Sequence, residues 1–132
     1  MNSLDFSAYD WFVARVDSGK EFVNAYKLTC EGYVCVAPSR KIVKRRSRHA
    51  KATISVSVPL LPGYVFVGFD AGSERDWEKA YERQLINGVL RVDNGTGPVD
   101  AAIMATEVER FHSISGATQF RAENRQEFPK GA

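Results

Sequence analysis

Seven basic residues and no acid lie between Arg40 and Lys51: Arg40, Lys41, Lys44, Arg45, Arg46, Arg48 and Lys51. The chain has 18 Lys and Arg, so 11 remain elsewhere, against 16 Asp and Glu. The net charge of +2 thus combines an acidic body with one dense cationic block. Such a block suits a phosphate backbone, where cations position a partner without reading its sequence. On charge alone, a solvated hairpin tip accounts for it equally well. The other conspicuous group is apolar: Leu61, then Tyr64 and Phe66. Residues two apart on a strand point the same way. An aromatic pair so placed is an interface if exposed and core if covered. Periodicity alone favours core.

Reactive constellations are scarce. Cys30 and Cys35 have neither His49 nor His112 at a metal-ligand spacing, and a structural zinc site needs four ligands. Two cysteines in 132 residues read as incidental thiols of a reduced cytoplasm. Cys30 and His112 offer a nucleophile and a base, but nothing supplies a third orienting group or an oxyanion site. Glu74 and Glu78 share a helix face that solvent is expected to cover. Asn94–Pro98 lacks the Lys and the helix start of a phosphate loop. The expectation is a protein that is not an enzyme, with no cofactor and no metal. No run of 18 apolar residues exists, and Met1–Asp10 has no secretory pattern.

The elements that must position these groups follow from periodicity. Trp11–Val16 is rich in bulky and branched residues, as a strand should be. Asp17-Ser18-Gly19 turns the chain, with Ser18 a candidate cap, into a helix over Lys20–Glu31. Phe22, Ala25, Tyr26 and Cys30 form its apolar face, with Lys20, Asn24 and Lys27 opposite. Gly32 ends it, and Tyr33–Ala37 is the next strand. Ile54, Val56 and Val58 alternate through Thr53–Val58, which pairs with Lys41–Val43 as a hairpin carrying the basic tip. Pro62-Gly63 leads into the strand Tyr64–Phe69. Helices are expected over Glu74–Arg83 and Ala101–Ile114, with a strand over Val89–Val92 between them and a tight link at Asn94–Pro98. This order predicts an α+β fold, a ferredoxin-like sandwich with a mainly antiparallel sheet, flanking helices and a basic β-hairpin.

The run Val58-Pro59-Leu60-Leu61-Pro62-Gly63-Tyr64-Val65-Phe66-Val67 resembles the most recognisable segment of the N-terminal (NGN) domain of NusG/RfaH-type transcription elongation factors. Trp11-Phe12-Val13, Gly19-Lys20-Glu21, the basic stretch Arg40–Lys51, and Gly88-Val89 followed by Pro98 match in the same order. Two departures exist. Trp77–Gly88 is about one helical turn longer than the family pattern, and Asp100 stands where a second proline is common. The resemblance implies a tail over residues 1–9 and the NGN domain over 10–116. A polar linker over 117–132 would lead to an absent or truncated KOW β-barrel, whose opening Phe128 and Gly131 resemble.

For function, the resemblance implies a monomeric antitermination or elongation module of the cytoplasm that binds RNA polymerase. Leu61, Tyr64 and Phe66 would contact the clamp helices of the largest subunit and so modulate pausing. Lys44, Arg45, Arg46 and Arg48 would meet upstream DNA, and Lys20 and Lys27 the non-template strand. The rival reading is a stand-alone RNA-binding module using Tyr64 and Phe66 as stacking platforms.

Overall fold

The computed structural model describes residues 5–45, 52–113 and 118–120. After a 3-10 turn at Phe6–Ala8, the elements run β1 (Tyr9–Arg15), α1 (Glu21–Cys30), β2 (Val34–Ala37), β3 (Ser39–Arg45), β4 (Thr53–Pro59) and β5 (Tyr64–Asp70). They continue with α2 (Glu78–Glu82), β6 (Gly88–Val89), β7 (Arg91–Asp93), β8 (Pro98–Asp100), β9 (Ala102–Ile103), α3 (Ala105–Ser113) and β10 (Thr118–Phe120). The main sheet has the order β10-β2-β5-β1-β6, with β9 also pairing β1, and every pairing is antiparallel. Leaving aside the short β9 and β10, its chain order β1-α1-β2-β5-α2-β6 is the split β-α-β arrangement of a ferredoxin-like sandwich. The fold expected from the sequence is the fold observed.

Alternation along β5 builds two cores. Val65 and Val67 face α1 and α2, where Ala25, Leu28, Ala80, Leu85 and Ile86 cover them. Phe66 faces the other way, into a cluster with Phe6, Trp11, Val36 and Val108 that α3 covers. Position 68 falls on that same side, and glycine fits there because the Trp11 ring fills the space, within 3.1 Å of where a Cβ would stand. Both faces of the sheet are thus covered. Among the described residues, no helix is long and apolar enough to cross a membrane.

Several elements differ from expectation for identifiable reasons. In α1 the buried residues are Glu21, Asn24, Ala25, Leu28 and Thr29, while Tyr26 is exposed. Asn24, expected in solvent, donates from Nδ2 to the Leu85 carbonyl at 3.1 Å. Ser18 does not cap the helix; Lys20 holds that position without a side-chain bond. The α2 helix is shorter than the expected Glu74–Arg83 because Arg75 and Trp77 are committed to Asp100, at 3.0 and 2.9 Å. Residues 98–100 and 102–103 enter strands, so α3 begins at Ala105 and not at Ala101. The expected Val89–Val92 strand is interrupted at Leu90, and Asn94–Pro98 becomes the turn of the β7-β8 hairpin. Thr118–Phe120, expected within the linker, pair with β2 at the sheet edge. Phe128 and Gly131 lie outside the described residues.

Candidate functional site

The Pro62-Gly63 turn is held from two sides. Gly63 sits at φ +87, a conformation glycine adopts without steric penalty. Its N–H donates to Glu21 Oε2 at 2.6 Å, and its carbonyl accepts from Val16 N–H at 2.8 Å. Glu21 Oε1 accepts from Gly19 N–H at 3.0 Å. Glu21 is only 1% exposed. A buried carboxylate is costly unless hydrogen-bonded, and here backbone donors from two separate segments satisfy it. The side chain thereby ties the start of α1 to the turn that launches β5. Tyr64 N–H donates to the Leu61 carbonyl at 3.1 Å, closing the turn.

The three apolar candidates therefore differ in exposure. Tyr64 is 37% exposed and Leu61 is half-buried against the α3-side core. Phe66 is 2% exposed and packs on the Phe111 ring, with centroids 5.6 Å apart. The expectation that Phe66 shares an open patch with Tyr64 is corrected here. Both point to the same face, but α3 covers one and leaves the other open.

The hairpin β3-β4 pairs Ser39 with Pro59 through to Arg45 with Thr53. Its base is fixed where Leu60 N–H donates to the Pro38 carbonyl at 2.9 Å. Arg40 and Lys44 lie opposite Val58 and Ile54 on one face, while Lys41 lies on the other opposite Ser57. Arg40, Lys41 and Lys44 are exposed. Arg45 ends β3, and Arg46 and Arg48 lie outside the described residues.

Lys20 and Lys27 are exposed, as their helical positions predicted. The Glu21 bonds place Lys20 beside the Gly63 turn. Lys27 stands two turns away, lining a cleft with Cys30, Glu31, Arg83 and Leu85. Among the described residues, Lys20 and Lys27 are therefore not neighbours.

Nor does the structure assemble a nucleophile and base. Cys30 belongs to α1 and His112 to α3, on opposite faces of the sheet. Burial pushes the Cys35 thiol well above its ordinary range, so it stays protonated. Burial also lowers the pKa of His112, which packs on the Phe6 ring, partly offset by Glu109.

Two groups with clear geometric roles escaped the sequence reading. In the sequence, Glu21 marks no more than the start of a helix. Asp100, which in the sequence merely replaces a common proline, accepts hydrogen bonds from Arg75 and Trp77 and lies 3.4 Å from Arg91 Nε. Arg75 also stands over the Phe12 ring, 4.7 Å from its centroid. These partners are far apart in sequence, so no local spacing announces them.

The family described as transcription termination factor NusG matches residues 9–120, well over half of the chain. That span begins with β1 and ends with β10. Among curated proteins, none gives a significant match.

Proposed function

The chain belongs to the NusG family of transcription factors, and we propose that it is a polymerase-binding module docking through Tyr64 and Leu61 on the clamp helices of the largest RNA polymerase subunit. The observation that carries this reading is a half-open aromatic at the start of a central strand, on a turn pinned by a buried carboxylate. Preorganisation of that kind lowers the entropy lost on binding. Docking on the closed clamp in preference to the open one shifts the polymerase towards its elongating state and alters pausing. Family members are transcription factors, which accords with a non-catalytic role. The rival RNA-binding reading is disfavoured because α3 covers the sheet face on which Phe66 would stack bases.

The test is binding of the chain to core polymerase, followed by a time course of RNA length on a pause-containing template. Tyr64→Ala should remain folded and lose affinity by about 2 kcal/mol, roughly thirtyfold. A folded variant that binds normally overturns the docking assignment.

The cationic hairpin is proposed to meet the phosphates of upstream duplex. Replacing Lys44, Arg45, Arg46 and Arg48 by Ser is expected to alter stability by no more than about 0.5 kcal/mol. It should flatten the dependence of affinity on salt for an elongation complex carrying upstream DNA. An unchanged salt slope returns the hairpin to the status of a solvated tip.

A further inference from the structure

Arg15 stands directly opposite Tyr64 in the β1-β5 register and opposite Gly88 in the β1-β6 register. Paired residues share a face, so Arg15, Tyr64 and Gly88 lie on the α3 side of the sheet, beyond the residues α3 covers. The guanidinium lies across Gly88: a Cβ built there would come within 2.7 Å of Nη2 and 3.4 Å of Nε. Gly88 is buried although it has no side chain, while Arg15 is exposed. Arg75, Arg83, Arg91 and Arg110 each have a carboxylate partner. Among the described residues, Arg15 has none, and it makes no ring contact.

We infer that Arg15 is a specificity-determining contact of the Tyr64 docking surface, and that it receives an acidic side chain of the polymerase. This rests on the docking reading above and adds the chemistry of what is docked. A planar guanidinium held against a glycine is preorganised for two parallel hydrogen bonds to a carboxylate. The Tyr64 ring opposite it, once docked, shields that pair from water, which strengthens it and penalises a partner lacking the acid. The complementary surface therefore carries an Asp or Glu next to a pocket for the Tyr64 ring.

The experiment measures affinity of the full chain for core polymerase, with circular dichroism and thermal melts on each variant. Arg15→Glu should weaken binding by about tenfold or more, and Arg15→Lys by a smaller factor. Gly88→Ala should also weaken binding, because it displaces the guanidinium and retains the charge. This variant decides the matter should Arg15→Glu fail to fold. Converting the polymerase acid crosslinked from position 15 to Lys should restore affinity to Arg15→Glu. If Arg15→Glu and Gly88→Ala bind like the unmodified chain while Tyr64→Ala does not, the inference fails and the docking surface stands. Should Tyr64→Ala also bind normally, the docking reading itself falls. A loss confined to binding of free duplex or single-stranded DNA, with polymerase affinity unchanged, would make Arg15 a phosphate contact and overturn the assignment.

Discussion

Phe66→Ala is expected to destabilise the domain by about 3–5 kcal/mol, the usual range for removing a buried aromatic side chain. Phe66 is among the largest fully buried side chains and is held between β1, β2 and α3 by Trp11, Val36, Val108 and Phe111. Alanine would leave a cavity that this packed cluster closes only partly. Domains of this size are typically stable by about 5–15 kcal/mol, so the variant would stand near the limit of folding. Urea denaturation with the midpoint and slope fitted separately measures the effect. Tyr64→Ala, in the same experiment, should lose much less stability. If Phe66→Ala retains full stability and instead loses polymerase affinity, then α3 does not cover this residue in solution, and the core assignment falls.

Glu21→Ala is the second large effect. It removes the acceptor for the Gly63 N–H, in a partly buried turn, and for the Gly19 N–H, which water can reach. An unsatisfied buried donor costs about 1–3 kcal/mol, and only the Gly63 N–H lacks ready access to water, so a loss on the order of 2 kcal/mol is expected. Glu21→Gln keeps one carbonyl acceptor, turns an amide towards the other donor, and should lose roughly half as much. The readout that separates this role from general packing is local. Amide exchange at Gly63 should accelerate more than at core positions of β5, because the turn opens before the strand does. Uniform acceleration across β5 would mean that Glu21 acts only through global stability. If the Gly63 amide is unaffected, the carboxylate does not hold the turn.

The parts of this fold legible in the sequence are those governed by neighbours in the chain. The Pro62-Gly63 turn, the alternation of Ile54, Val56 and Val58, the cationic hairpin and the Gly32 terminus each depend on backbone preference or periodicity over a few residues. The helix α1 was legible in position but not in its inward face. An apolar count places Tyr26 inside and Asn24 outside; the structure reverses both, because Asn24 finds the Leu85 carbonyl across 61 residues. The short α2 has a similar origin in the reach of Arg75 and Trp77 to Asp100.

The candidate site divides along the same line. Pleating puts Tyr64 and Phe66 on one side of β5 whatever surrounds them, and that much sequence alone determined. Which of the two meets a partner depends on where a covering helix ends. Phe111 of α3 lies over Phe66, while Tyr64, one pleat nearer the turn, stays partly open beside Arg15. Likewise Gly19, Glu21 and Gly63 carry no mark in the sequence that joins them. Only the return of the chain after the hairpin brings the Gly63 N–H to a carboxylate 42 residues earlier. Local sequence sets the direction of a side chain; burial is decided by elements that arrive from elsewhere in the chain, and so is resolved only in three dimensions.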